Sequence, residues 1–209
     1  LGHIIVLNNR QKEYKGNIYG VGREEGDIAG APVYDSVDKL PEVPDVAIII
    51  SPAQTVPDFM EACGKKGIKR IVIESGGFSE YSEGQQTLEN KVLEIAKRYN
   101  IRFIGPNCIG TVNFDINMMM PFGFFPISVP GGRVAMIVQS GGVGSSYLRA
   151  FGDNVIIPGK FAAIGNKLQI DEVDVLDYLL NDEKTDIITM YLEGFKRGRS
   201  FFDLALKSD

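Results

Sequence analysis

Val46-Ala47-Ile48-Ile49-Ile50-Ser51-Pro52-Ala53 reads as a β-branched run that stops at a serine and a proline. A helical pattern over residues 56–66 follows, ended by Gly67, and a second run over 69–74 gives way to Ser75-Gly76-Gly77-Phe78. Two short apolar runs separated by one helix are the mark of parallel strands joined by a crossover. The same rhythm extends both ways. Upstream, residues 17–21 form a further strand-like run; downstream, Leu88, Val92, Ile95, Ala96 and Tyr99 recur at helical spacing before a strand at 102–104. The segment 121–132 holds three prolines and three glycines, too many breakers for a helix or a central strand, and is the expected linker. Beyond it the alternation resumes as strand 133–138, helix 143–151, strand 160–164, helix 172–180, strand 186–192 and helix 196–207. The fold class is therefore α/β with parallel sheets, in two units at 1–126 and 127–209. Residues 4–7 are four consecutive apolar side chains that propensity alone assigns to a strand.

Composition narrows the function classes. Of the 209 residues, 44% are hydrophobic and 23% charged, ordinary values for a globular protein, and no apolar run nears the roughly 18 residues of a membrane span. The net charge of −5 comes with scattered lysines and arginines, so no basic field for nucleic acid exists. Cys63 and Cys108 are too few for a disulfide scaffold, and Cys108 stands in a Gly/Pro-marked loop where its thiol is expected to be reachable. A cytoplasmic setting is expected. The chain opens at Leu1 without a basic start or a small-residue cleavage site, which reads as a fragment beginning inside a domain.

In open parallel sheets ligands sit outside the carboxyl ends of the strands. Here those positions hold Gly20-Val21-Gly22-Arg23, Ser51-Pro52-Ala53, Glu74-Ser75-Gly76-Gly77-Phe78 and Gly105-Pro106-Asn107-Cys108-Ile109-Gly110. Any one of them is equally well a simple turn, whereas four on one edge point to a binding site. Gln139-Ser140-Gly141-Gly142-Val143-Gly144 lies between a strand and a helix, where N–H groups and the helix dipole attract an anion; as a bare pattern it is also a serine cap with packing glycines. Glu193 follows the last strand, so parallel pairing puts its carboxylate on the same edge as Ser140, although a solvated glutamate is the commoner fate of such a residue. His3 is the only histidine, which leaves no histidine pair for a metal and no serine–histidine triad within the chain. No metal site is expected.

From Ile104-Gly105-Pro106-Asn107-Cys108-Ile109-Gly110 the sequence resembles the α-subunit part of ADP-forming acyl-CoA synthetases and, more distantly, succinyl-CoA synthetase. Supporting segments are residues 46–63, Ser75-Gly76-Gly77-Phe78, Ser140-Gly141-Gly142-Val143-Gly144, Gly165-Asn166-Lys167 with Asp171 and Asp174, and residues 191–199. The resemblance implies a Rossmann-like CoA-binding domain followed by a flavodoxin-like domain, with residues 4–7 helical. It implies an acid–thiol ligase that interconverts an acid, CoA and ATP with acyl-CoA, ADP and phosphate through acyl-phosphate and phosphohistidine intermediates. Ser140, Gly141 and Gly142 are then the phosphate cradle, and Glu193 supports the phosphohistidine. CoA is expected along Arg23, Ser51, Pro52, Ser75, Gly76, Asn107 and Cys108. Implied partners are a small carboxylic acid and an ATP-grasp domain or β subunit that binds ATP or ADP with Mg2+, in an oligomer.

The sequence departs from the family in three ways. Its first strand and glycine-serine loop are expected before Leu1, Gly22-Arg23-Glu24 replaces an Asn-Pro-Lys, and the phosphorylated histidine is expected after Asp209. The competing class is a non-catalytic CoA-binding regulatory module, such as the synthetase-like part of a protein acetyltransferase. A nicotinamide dehydrogenase is disfavoured because no complete Gly-x-Gly-x-x-Gly follows a strand.

Overall fold

The computed structural model describes residues 1–23, 25–78, 86–125, 131–150 and 158–207. The chain opens with helix α1 (Gly2–Gln11), which settles the reading of residues 4–7. Tertiary contacts override strand propensity there. Ile5 and Val6 are buried, and the buried amides of Asn8 and Asn9 reach across the molecule: Asn8 Nδ2 donates to Pro121 O (3.1 Å) and Gly123 O (2.7 Å), while Asn9 exchanges hydrogen bonds with Met119.

A small sheet follows, built from β1 (Gly20–Val21), β2 (Gly26–Ile28) and β3 (Ala31–Tyr34), with β3 central. The expected strand at 17–21 is thus reduced to two residues, because Asn17 and Tyr19 turn their side chains to Glu42 Oε1 (2.8 and 2.7 Å). The β2–β3 hairpin escaped the sequence reading. Its turn puts Ala29 (φ 50°) and Gly30 (φ 78°) in the left-handed region without the usual asparagine, and Asp27 Oδ1 accepts the Gly30 N–H at 2.8 Å instead.

The strands β4 (Ala47–Ile49), β5 (Arg70–Ile73) and β6 (Arg102–Ile104) form a parallel sheet in that order, covered by α2 (Val56–Lys66) and α3 (Gln86–Tyr99). Gly67, at φ 100°, closes α2, and its N–H and that of Ile68 both donate to Cys63 O. One core of Ile49, Val56, Met60, Ile71, Ile73, Val92, Ile95 and Phe103 lies between sheet and helices.

The last sheet has five strands in the order β11-β9-β10-β7-β8. Its parallel part is β9 (Val134–Val138), β10 (Pro158–Ala163) and β11 (Ile187–Tyr191), crossed by α4 (Gly141–Ala150) and α5 (Glu172–Leu180), with α6 (Gly198–Ala205) after β11. Its other edge is an antiparallel hairpin, β7 (Thr111–Asn113) and β8 (Met118–Met119), which the sequence reading did not foresee. The hairpin precedes the expected linker in the chain yet bonds to β10, so the unit expected at 1–126 supplies strands to the second sheet. The expected boundary between residues 126 and 127, and the end of the helix expected to reach residue 151, lie outside the described residues.

Helix α4 begins at Gly141, two residues before its expected start, because the glycines can lie against the sheet. A Cβ on Gly144 would stand 2.8 Å from both Phe161 Cζ and Val138 Cγ2. Gly144→Val should therefore destabilise the fold by about 1–3 kcal/mol and lower the melting temperature by roughly 3–10 °C; a thermal melt with an unchanged midpoint would mean that α4 is not seated this closely.

Candidate active site

Three strand-end loops of the β4–β5–β6 sheet are laced together. Ser51 N–H donates to Ser75 Oγ (3.0 Å), Ser75 Oγ donates to Ile49 O (3.3 Å), and Asn107 N–H donates to Ser75 O (2.9 Å). Glycine is required at the crossing: a Cβ on Gly105, whose φ is 98°, would stand 2.3 Å from Ile73 O. Pro52, Gly76 and Asn107 are exposed along the resulting edge, and the buried Ser51 hydroxyl has no protein partner among the described residues. An edge with open backbone and an unsatisfied hydroxyl suits a polar, extended ligand such as CoA.

Two expected members behave differently. Arg23 is exposed beyond β1, in the neighbouring small sheet, and no hydrogen bond or ion pair joins it to these loops among the described residues. The four loops expected on one edge are therefore three loops of one sheet and one of another. Cys108 is only 4% exposed, its thiol donates to Ile73 O (3.4 Å), and burial pushes it up to about 12, aided by the nearby Glu74. The expected reachable thiol is corrected: the cis Gly105–Pro106 peptide and the left-handed Asn107 (φ 58°) precede a side chain that points into the core.

The second edge lies at the end of the five-stranded sheet. Parallel pairing aligns Val138 with Tyr191, so Ser140 and Glu193 emerge side by side. Gln139 stitches them: its N–H donates to Tyr191 O (2.9 Å) and its Oε1 accepts the Glu193 N–H (3.0 Å). Gln139 was part of the sequence motif but not assigned a role; register with a strand more than 50 residues away cannot be read locally. Ser140 caps α4, its Oγ 3.4 Å from Val143 N, while the first-turn N–H groups of Gly141 and Gly142 have no acceptor within the helix. Glu193 is exposed.

The two edges meet. Ile109 Cγ2 lies 3.0 Å from where a Cβ would stand on Gly141, placing the Asn107–Cys108 loop against the start of α4. The turn at 165–167, after β10, binds that loop from the other side: Asn166 N–H donates to Pro106 O (2.9 Å), Leu168 N–H to Gly105 O (3.0 Å) and Asn107 Nδ2 to Asn166 Oδ1 (3.2 Å). From the same turn Lys167 Nζ donates to Gly194 O (2.7 Å), next to Glu193. Among the described residues no group of three or more His, Cys, Asp or Glu could hold a metal.

Glu74 was quoted only as part of a loop, because burial cannot be read from a glutamate at a strand end. It is 5% exposed, neither carboxyl oxygen has a hydrogen-bond partner among the described residues, and burial pushes its pKa up to about 8. A Cβ on Gly110 would stand 2.5 Å from its Oε1, so Glu74 lies directly beneath the loop at residues 105–110. Unfolded, the carboxyl releases its proton near the ordinary 4.5; folded, it keeps the proton to about 8, so stability falls as pH rises between those values. Glu74→Gln should flatten this dependence, which for one proton is about 1.4 kcal/mol per pH unit. Denaturant unfolding across this interval measures the slope, and equal slopes for wild type and variant would show that Glu74 ionises normally.

Residues 1–113 match the CoA binding domain, and residues 131–209 match the succinyl-CoA ligase like flavodoxin domain. The ADP-forming acetate–CoA ligase of Methanocaldococcus jannaschii is 43% identical over 99% of this chain and 28% of its own length. The alpha subunit of ADP-forming acetate–CoA ligase I of Pyrococcus furiosus is 36% identical over 98% of this chain and 45% of its own length. The dinucleotide forming acetyl-coenzyme A synthetase 1 of Ca. Korarchaeum cryptofilum superposes in its apo form with a TM-score of 0.91 at 32% identity, over 98% of this chain and 44% of that one. A second structure of that synthetase contains phosphate and ADP. The chain thus spans less than half the length of each of these proteins. The chain belongs to the CoA binding domain family through residues 1–113, and over nearly its whole length it is similar to part of ADP-forming acetate–CoA ligases, an alpha subunit among them.

Proposed function

We propose that this chain is the CoA- and phosphate-handling part of an acid–thiol ligase that interconverts a carboxylic acid, CoA and ATP with acyl-CoA, ADP and phosphate. The observation that carries the proposal is the junction of the two edges, where the Asn107–Cys108 loop lies against the N-terminus of α4 with Glu193 alongside. An acyl phosphate must meet a thiol in this chemistry, and that junction brings a CoA edge and an anion edge together. The curated relatives are ligases, which supports a catalytic reading over a regulatory CoA-binding module.

Ser51, Pro52, Ser75, Gly76 and Asn107 then hold CoA, with Cys108 contributing through its backbone. Arg23 meets a CoA phosphate if the polar part of the ligand extends towards β1. The N–H groups of Gly141 and Gly142 and the Ser140 hydroxyl take the phosphoryl oxygens at the positive end of α4. Glu193 accepts a hydrogen bond from one nitrogen of a histidine brought from outside this chain, fixing the tautomer whose other nitrogen carries the phosphoryl group. ATP or ADP and Mg2+ belong to an ATP-grasp portion, on the same polypeptide or in a β subunit within an oligomer. A cytoplasmic location suits these substrates, and no helix among the described residues is long and apolar enough to cross a membrane.

Glu193→Gln in the complete enzyme keeps size and an acceptor but removes the charge. It should slow phosphohistidine formation by about 2–4 kcal/mol of transition-state stabilisation, roughly 30- to 1000-fold, with CoA affinity held. Labelled ATP, or acyl-CoA with labelled phosphate, reports this as acid-labile, base-stable protein phosphate. A variant labelled at the wild-type rate would leave Glu193 a mere solvated residue.

A further inference from the structure

Lys167 and Glu172 are 4% and 0% exposed and face each other at 2.9 Å between Nζ and Oε2. Burial alone would raise the Glu172 carboxyl, but the hydrogen bonds from Lys167 and from backbone N–H groups outweigh it and hold it below the usual range. Three further hydrogen bonds join the pair and its neighbour Lys196 to one short piece of backbone. Lys167 Nζ donates to Gly194 O (2.7 Å), Glu172 Oε1 accepts the Lys196 N–H (2.8 Å), and Lys196 Nζ returns to Lys167 O. Arg197 extends the grip, its guanidinium bonding Asp171 (2.7 and 2.5 Å) and Asp174 (2.8 Å). The gripped segment has one apolar contact, the Phe195 ring against Phe201 at 4.6 Å between centroids, and is otherwise in water: Gly194 and Lys196 are exposed and Phe195 is 55% exposed. Polar bonds, not burial, set its course. The backbone at Glu193 is thereby held from both sides, its N–H by Gln139 and the following Gly194 carbonyl by the buried pair.

A buried ion pair is a poor device for stability alone, since two apolar side chains of the same volume often serve as well or better. What such a pair adds is direction. Lys167 is itself fixed in the left-handed region (φ 54°), on the turn whose other bonds go to Gly105, Pro106 and Asn107. A side chain kept in that conformation marks a place over-determined by its surroundings.

We propose that Lys167 and Glu172 are positioning residues for phosphoryl transfer, fixing the Glu193 carboxylate in register with the CoA edge. They touch no reacting atom, and their role rests on the reading of Glu193 given above. The double variant Lys167→Met/Glu172→Gln removes both charges, so no unpaired buried ion is left, while Gln at 172 still offers an oxygen to the Lys196 N–H. In the complete enzyme it should form phosphohistidine roughly 10- to 100-fold more slowly, with the KM for CoA changed less than about threefold, because the backbone bonds of the 165–167 turn to the CoA loop remain. Placed on Glu193→Gln, the double variant should add less than about threefold, since both changes act through one carboxylate. Lys167→Arg keeps the charge but displaces the donor; it stands in if the double variant does not fold, with a loss of about threefold or more expected in the same step. Wild-type phosphorylation in a folded variant, with Glu193→Gln slow, overturns the positioning role and leaves the Glu193 reading intact. Fully multiplicative losses overturn it too, by showing that Lys167 acts elsewhere. Wild-type rates for Glu193→Gln itself overturn both.

Discussion

The close approach of Gly165 to the Pro106–Asn107 peptides is the contact on which the geometry of both edges depends. A Cβ on Gly165 would lie 2.3 Å from Pro106 O and 2.5 Å from Asn107 O, so at this crossing only a glycine lets the end of β10 lie against the end of β6. Three hydrogen bonds follow from that approach, and with them the relative placement of two parallel sheets. A wider spacing would keep each sheet intact and still part the strand-end loops of one from the Ser140–Glu193 edge of the other. Ile104 packs against two of the hydrophobic clusters at once, so apolar contact backs up the polar crossing.

How much of this could be read in the sequence depended on whether the signal was local. Helix α5 was read with its ends as found, because Asp171 and Asp174 form a reciprocal cap written into four consecutive residues. The strands β4, β5 and β9 announced themselves as apolar runs. What was missed were elements made by distant partners. The β7–β8 hairpin is short, and it becomes a sheet edge only because β10 offers Phe161 and its neighbours for pairing. Helix α1 carries strand-forming residues, and it is the reach of Asn8 and Asn9 to residues 119–123 that makes the helix worthwhile.

The candidate site shows the same division. Ser140 and Glu193 come together as parallel pairing predicts, a consequence of strand order that alternation alone can suggest. Cys108 could not be placed by the same logic. A residue in a loop is free to face either way, and here the left-handed Asn107 turns the thiol inwards. Arg23 is a different matter: it follows β1, which pairs with β3 in the small sheet, so sharing a strand-loop pattern did not mean sharing an edge. Glu74, Gln139, Lys167 and Glu172 are polar residues whose weight lies in burial or long-range register, and neither leaves a mark in composition or spacing.

Charge explains why a buried carboxyl can be tolerated at the junction. Glu74 lies under Gly110, and the adjoining Ile109 abuts the start of α4, where the helix dipole favours an anion. An ionised Glu74 would set a negative charge in a low-dielectric layer behind that anion and weaken its binding. Burial keeps the proton on up to about 8, so the layer behind the junction is electrically neutral in the range where Cys108, pushed up to about 12, is neutral as well. One strand end thus carries Glu74, shut off from water and raised to about 8, and another carries Glu193, which is exposed, so two glutamates that both follow strands meet opposite surroundings.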